Sequence, residues 1–144
     1  MASEDSGLRT DVGGSAAAGG FNYQHRVTTW FAVRMLAETR ASGVRGLYEG
    51  AVLEITCETG DPVDDCRVSL TDGTLALQAK HSVYLRAAED SEMAKTASQF
   101  VRQHLMPERA TDKLILVTTS SSSRSVTGNL RRALDRFRKL PEPS

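Results

Sequence analysis

A chain of 144 residues and 15.7 kDa has room for a single domain with one hydrophobic core. Hydrophobic residues make up 40% of it and charged residues 25%, a balance that excludes a disordered chain. No stretch approaches the ~18 consecutive apolar residues of a transmembrane helix, and the N-terminus lacks the features of a secretory signal. Two cysteines are too few for a disulfide scaffold or a cysteine zinc site. We therefore expect a cytoplasmic protein without membrane contact.

The net charge of zero conceals an uneven distribution of charge along the chain. Residues 1–100 carry 9 basic and 14 acidic side chains, whereas residues 101–144 carry 9 basic and 4 acidic ones. Because charges act over about 8–10 Å at ordinary salt, the local excess of positive charge matters more than the total. The C-terminal region can therefore attract an anionic partner.

The N-terminal part divides into a leader and the start of a domain. Residues 1–20 are rich in Gly, Ala and Ser, which predicts a flexible leader ahead of a domain over 21–144. Apolar residues then recur at helical spacing, which predicts a first helix at about 21–41.

Three segments with a period of two follow, and they predict three strands at 51–58, 63–70 and 74–80. Asp72-Gly73 separates the second from the third and is a hairpin-type turn, since both residues tolerate positive φ.

The remaining segments predict a helix, a strand and a helix. The helix at 91–106 begins at a cap, Asp90 or Ser91, and Pro107 ends it. The apolar run 113–119 predicts an interior strand. The last helix, at 125–140, directs four apolar side chains inward: Val126, Leu130, Leu134 and Phe137. The order α-β-β-β-α-β-α predicts an α/β domain with a mixed sheet flanked by helices.

Polar side chains of neighbouring strands can meet at one end of this sheet. A hairpin centred on residues 72–73 pairs residue 65 near residue 80, and the alternation directs Asp65, Gln78 and Lys80 away from the apolar face. Glu54 has the same phase on the preceding strand. Carboxylate and amide oxygens are ligands of Mg²⁺, and a lysine beside them can orient water or stabilise charge on a phosphate. The cluster therefore has the composition of a Mg²⁺ site for phosphodiester hydrolysis.

Other interpretations of these residues remain open. Asp65, Gln78 and Lys80 can equally be exposed residues of an ordinary hairpin. Asp64 replaces Asp65 if a bulge shifts the phase. Glu54 is either a ligand or an exposed strand residue.

Asp64-Asp65 is followed, thirteen positions after Asp65, by Gln78-Ala79-Lys80, and this pattern resembles the D…(D/E/Q)xK signature of the PD-(D/E)xK nuclease superfamily. A narrower set of motifs is similar to the endonuclease domain of CD-NTase-associated anti-phage effectors and of nuclease-fused STAND NTPases. These motifs are Gly20-Phe-Asn-Tyr-Gln24, Glu54, the Asp64-Asp65 pair and Gln78-Ala-Lys-His81. The resemblance covers about residues 20–120.

This resemblance implies a restriction-endonuclease-like core and cleavage of double-stranded DNA in anti-phage defence, with Mg²⁺ or Mn²⁺ as cofactor. It implies that Asp65, Gln78 and Lys80 are the central residues. Gln78 departs from the acidic residue of the commoner pattern, which lowers the charge of the site. The resemblance also implies a homo-oligomer, or a fused or partner sensor module.

Accessory residues complete the set of candidates. Gln24 is either near the site or bonded to a neighbouring loop, and His81 is either structural or a contact to DNA phosphate. Cys57 and Cys66 are expected to be buried small hydrophobic residues. Basic residues of the last helix are candidates for binding DNA phosphates: Arg131, Arg132, Arg138 and Lys139. The alternative function is a catalytically silent nuclease-fold module that binds DNA or another protein.

Overall fold

A four-stranded mixed sheet with three α-helices forms the fold, as a computed structural model describes it for residues 12–42, 47–86 and 88–139. The elements in chain order are α1 (Val12–Leu36), β1 (Val52–Cys57), β2 (Cys66–Leu70), β3 (Gly73–Lys80), α2 (Glu92–His104), β4 (Lys113–Thr118), a π-helical segment (Ser125–Leu130) and α3 (Arg131–Phe137). This order and the mixed α/β class confirm the coarse prediction from the sequence.

The first helix extends further towards the N-terminus than the sequence pattern indicates. It begins at Val12 rather than at residue 21, so residues 12–20 of the predicted leader are helical, and residues 1–11 lie outside the described part. Alanine has the highest helix propensity, so the alanine run 16–18 favours a helix here although glycines flank it on both sides. The helix ends at Leu36 rather than near 41, and Glu38 then takes a left-handed conformation with φ of 52°.

The strands lie in the order β1-β2-β3-β4, with β4 parallel to β3 and the other pairs antiparallel. Thr71 and Asp72 form the two-residue turn, and Gly73, with φ of 140°, already pairs with Leu70. The hairpin is therefore centred one residue earlier than predicted. Continuing this register beyond Cys66, which pairs with Leu77, sets Asp65 opposite Gln78 rather than opposite Lys80.

The helix α1 covers one face of the sheet. Phe31 of α1 is buried against inward-facing residues of β2 and β3, and they share a cluster with Ala41, Tyr48 and Val52. The strand members of this cluster are Cys66, Val68, Leu70, Leu75 and Leu77. Their alternation in sequence is the pattern that predicted the strands.

The opposite face is held by polar contacts from α2 and the segment after it. Ser91 caps α2, its side chain accepting a hydrogen bond from the backbone of Ala94, as predicted. The buried Gln103 of α2 donates to Asp112 and accepts from the backbone of Val63. Asp112 also pairs with Arg67 of β2 at 3.2 Å. On this face Gln78 is buried, with 2% of it exposed, although it points away from α1.

The last helix packs more loosely than predicted. Val126 is buried, but Leu134 and Phe137 are 48% and 70% exposed, so the prediction that they point inward is wrong. The π-helical segment before α3 has i→i+5 hydrogen bonding, which changes the angular phase that a regular α-helical pattern assumes. Among the described residues, no helix combines the length and apolar character needed to cross a bilayer.

Replacing a leucine of the β3 core destabilises the fold far more than the same replacement at the sheet edge. Leu75 is fully buried, so Leu75→Ala is expected to lower the free energy of unfolding by about 2–5 kcal/mol. Leu53 on β1 is 62% exposed, and Leu53→Ala is expected to change it by less than about 0.5 kcal/mol. Urea unfolding measures both, and equal losses would contradict this assignment of the core.

Candidate active site

The carboxylate of Asp65 is held at the open end of the β2–β3 hairpin. Its Oδ2 atom accepts hydrogen bonds from Gln78 Nε2 at 2.6 Å and from the backbone amide of Ala79 at 2.7 Å. Both bonds follow from the register, because Asp65 directly precedes β2 and lies across from Gln78. The short distances are those of charge-assisted hydrogen bonds. The sequence-predicted pair Asp65 and Gln78 is thus in direct contact.

The side-chain amide of Gln78 is buried with one half unsatisfied. A carboxylate only accepts hydrogen bonds, so the NH₂ group of Gln78 must face Asp65. The Oε1 atom of Gln78 is then left buried without a hydrogen-bond partner. An unsatisfied buried polar atom typically costs about 1–3 kcal/mol, and such atoms often indicate an absent ion, water or ligand.

Burial raises the pKa of Asp65 above its ordinary value of 3.8. Desolvation is the largest cause, because it penalises the ionised form of the half-buried carboxyl. The hydrogen bond from Ala79 and the positive charge of Lys80 act in the opposite direction, and the negative charge of Asp64 raises the pKa further. Lys80 is therefore close enough to act on Asp65 electrostatically. We call Asp65, Gln78 and Lys80 the Asp65 cluster.

A glutamate that the sequence pattern did not indicate lies beside Lys80. Glu92, the first residue of α2, forms ion pairs with Lys80 Nζ at 3.4 Å and with Lys95 Nζ at 3.6 Å. Its place directly after the cap Ser91 was predictable, but the docking of α2 over the end of β3 was not. Lys80 thus stands between Asp65 and Glu92.

Gln24 reaches the same place from α1. Its Nε2 donates to the backbone carbonyl of Asp65 at 3.0 Å, so it positions the segment that carries the carboxylate. His81 follows Lys80 and faces the α1 side, where its ring makes an edge contact with Tyr23 at 6.0 Å between centroids. The backbone carbonyl of His81 also accepts hydrogen bonds from Thr119 and Ser121. Gln24 is therefore near the site through a bond to the backbone of a neighbouring loop, so both of its predicted interpretations apply, and His81 has a structural contact.

Glu54 does not reach the Asp65 cluster, and its predicted place at that end of the sheet is wrong. The register pairs Glu54 with Ser69, and Ser69 with Thr74, near the turn of the hairpin. Thr74 and Gln78 are about 13 Å apart along β3 at roughly 3.3 Å per residue. The sequence correctly predicted the face of the sheet on which Glu54 lies, because Glu54 shares that face with Gln78. It did not predict the position of Glu54 along the strand.

The cysteines and the basic residues of the last helix are not members of the Asp65 cluster, although Cys66 directly follows Asp65 in the sequence. Cys66 is buried as expected, whereas Cys57 is exposed because β1 is an edge strand. The main contacts of α3 run to the π-helical segment. The four basic candidates, of which Arg138 and Lys139 directly follow α3, are exposed, and two of them are near a local partner: Arg131, Arg132 (to Asn129 at 2.7 Å), Arg138 (to Asp135 at 3.9 Å) and Lys139.

The donor set suits a hard cation held by few protein ligands. Within the described ranges, no three His, Cys, Asp or Glu side chains are grouped so that they hold a metal. Asp65 Oδ1 and the unsatisfied Gln78 Oε1 are the oxygens left for a cation once the two hydrogen bonds to Oδ2 are made. Mg²⁺ commonly takes one or two carboxylates and completes its shell with water and substrate phosphate. The residues therefore fit one Mg²⁺ or Mn²⁺ ion.

Comparison with known proteins adds no assignment: no family model, curated protein or solved structure matches this chain. The functional argument therefore depends on the geometry and chemistry of the Asp65 cluster.

Neutralising Asp65 is expected to stabilise the protein at neutral pH. Asp65→Asn keeps an oxygen that accepts hydrogen bonds from Gln78 and Ala79, but it removes a charge that burial disfavours. The free energy of unfolding should therefore rise by about 0.5 kcal/mol. The gain is small because solvent screens the charge of a half-buried group. A raised folded-state pKa makes the ionised carboxyl destabilising above that pKa. The gain in stability should therefore shrink as the pH falls through the folded-state pKa of Asp65. It should vanish below pH 3.8, the ordinary pKa, where Asp65 is protonated in the folded and the unfolded state.

Urea unfolding of both proteins between pH 3 and pH 7 measures this difference. A variant that is less stable than the wild type at pH 7 would show that the charge of Asp65 supports folding, contrary to the effect expected from its burial.

Proposed function

We propose that the protein is a divalent-metal-dependent endonuclease that hydrolyses phosphodiester bonds of double-stranded DNA, on a restriction-endonuclease-like core. The observation that carries the proposal is the unsatisfied, buried Oε1 of Gln78 beside the carboxylate of Asp65. An unpaired oxygen next to an ionisable carboxyl is costly for folding and is well suited to binding a cation. The resemblance in sequence to PD-(D/E)xK nucleases supports the same function.

Asp65 Oδ1 and Gln78 Oε1 are the proposed ligands of the ion. A bound Mg²⁺ supplies polarisation of the phosphoryl oxygen and a lowered pKa of coordinated water. A bound cation would also stabilise the ionised form of Asp65, which burial disfavours, because a positive neighbour favours a carboxylate. The amide of Gln78 contributes no charge, so a single ion suits the site better than two.

Lys80 is the proposed catalytic cation. Its ammonium group is close enough to Asp65 to act on its pKa, and it can orient an attacking water or stabilise negative charge that develops on the phosphate. Its ion pair with Glu92 is partly exposed, and pairs of this kind contribute only about 0–1 kcal/mol. A DNA phosphate can therefore replace Glu92 as the partner of Lys80 at little cost.

A groove and a basic helix offer surfaces for the DNA backbone. The groove, of about 600 Å³, lies between α1 and the ends of β3 and β4, and Arg26 and His81 are among its lining residues. The four exposed basic candidates in α3 and directly after it provide a second set of phosphate contacts. Binding through such groups is insensitive to sequence and weakens with salt.

The biological setting is proposed from the resemblance in sequence. We propose that the protein acts in the cytoplasm in anti-phage defence, as a homo-oligomer or with a fused or partner sensor module. Cutting both strands of DNA commonly needs paired active sites, which gives a chemical reason for an assembly.

A second candidate function is a catalytically silent nuclease-fold module that binds DNA or a protein. The observation that favours it is the small number of metal ligands. Glu54 is remote, so Asp65 is the one carboxylate in contact with Gln78 in the described structure. Lys80 also pairs already with Glu92. Both candidates predict DNA binding, so only catalysis separates them.

Cleavage of plasmid DNA with Mg²⁺, compared with excess EDTA, tests the proposal. Lys80→Ala should lower the cleavage rate by about 100-fold or more, because it removes charge stabilisation of the reaction. Lys95→Ala is the matched control: Lys95 pairs with the same Glu92 but lies on α2 rather than β3, so its removal should leave the rate within about twofold.

Two results would contradict the proposal. If Lys80→Ala and Lys95→Ala cut equally well, Lys80 is not part of the centre. If the wild type binds DNA but does not cut it with Mg²⁺ or Mn²⁺, even when concentrated, the silent module is the better account.

A further inference from the structure

The two cysteines of the chain are direct neighbours across two strands. Cys57, the last residue of β1, is the register partner of Cys66, the first residue of β2. Partners in an antiparallel pair have Cα atoms about 4.5–5.5 Å apart, which lies within the range of about 4.4–6.8 Å that a disulfide spans. Both side chains are on the face towards α1, since Cys66 belongs to the apolar cluster and Cys57 lies beside Thr28 of α1. The register therefore places the two cysteines at a spacing that a disulfide can span.

The two thiols differ in their surroundings. Cys57 is exposed, and its sulfur lies 3.7 Å from the hydroxyl of Thr28 on α1. Cys66 is buried, with only 2% of it exposed. Because an oxidant in solution can reach only an accessible sulfur, Cys57 reacts first and Cys66 follows. An exposed cysteine beside a buried resolving cysteine is suited to reversible oxidation.

We propose that Cys57 and Cys66 form a reversible disulfide when the protein meets a low-molecular-weight disulfide of the glutathione class. The thiolate of Cys57 attacks one sulfur of the oxidised reagent, and the first reduced thiol leaves. Cys66 loses its proton to solvent, and its sulfur attacks the Cys57 sulfur of the mixed disulfide, which releases the second reduced thiol. The two protein thiols are oxidised, and one reagent disulfide is reduced to two thiols.

The disulfide joins β1 to β2 at the residue that follows Asp65. It closes a short loop over residues 57–66 and reduces the conformational freedom of the unfolded chain. The expected consequence is a rise in Tm of roughly 5 °C and a fixed connection between the edge strand and the start of β2. This modification does not depend on nuclease activity, because it involves neither Gln78 nor Lys80.

Incubating the folded full-length protein with oxidised glutathione, followed by intact-mass measurement, tests the proposal. The wild type should pass through a glutathione adduct to a monomer lighter by two hydrogen atoms, with the raised Tm. Cys66→Ala, which keeps that position apolar, should stop at the adduct, and Cys57→Ser should react at least about tenfold more slowly than the wild type, since only the buried thiol remains.

The remaining outcomes would overturn the proposal. A wild type that keeps its glutathione adduct, or that forms only dimers linked between chains, lacks the internal disulfide. A Cys57→Ser variant that reacts as fast as the wild type would show that Cys66 is not protected by burial. Far-UV circular dichroism of each variant checks that it is folded under the same conditions.

Discussion

The hydrogen bonds from Gln78 and Ala79 to the carboxylate of Asp65 are the constraint on which the candidate site depends. They connect the residue before β2 to the end of β3, and they exist because the hairpin turns at Thr71 and Asp72. A register changed by one residue would move Gln78 to the α1 face, since side chains alternate along a strand. The turn therefore determines which oxygens meet at the site.

The same arrangement carries an energetic cost that the rest of the fold must offset. Burial disfavours the charge of Asp65, and the Oε1 atom of Gln78 lacks a partner. The apolar cluster under α1 holds one face of the sheet, and Asp112, which contacts both Gln103 of α2 and Arg67 of β2, connects α2 to the other face. Arg67 Nε is also buried without a hydrogen-bond partner, but only the Oε1 of Gln78 is an acceptor beside a carboxylate, and this is the physical reason for proposing a cation there.

How well the sequence predicted each feature depends on how far apart along the chain the interacting residues lie. The element order and the inward faces of β2 and β3 follow from local periodicity, and the cap Ser91 follows from local hydrogen-bonding chemistry. The meeting of Asp65 with Gln78 was also predicted, although through a hairpin centred one residue too late, which shifts the pairing by two residues and keeps the same face. The place of Glu54 along the sheet and the ion pair of Lys80 with Glu92 could not be predicted, because they depend on pairing register and on the docking of α2. The exposed side of α3 was missed because a π-helical segment changes the helical phase before it.

Titration with Mn²⁺ in the absence of DNA tests the central claim most directly, because it detects the ion without requiring catalysis. In two-dimensional NMR spectra, paramagnetic Mn²⁺ should broaden the side-chain amide signals of Gln78 and the backbone amide of Ala79 first. At substoichiometric Mn²⁺ the amide of Glu54, at the other end of the hairpin, should broaden far less. Excess EDTA should restore the signals, and Asp65→Asn should prevent the broadening. Broadening that begins at Glu54, or none at Gln78 and Ala79, would contradict the proposed site.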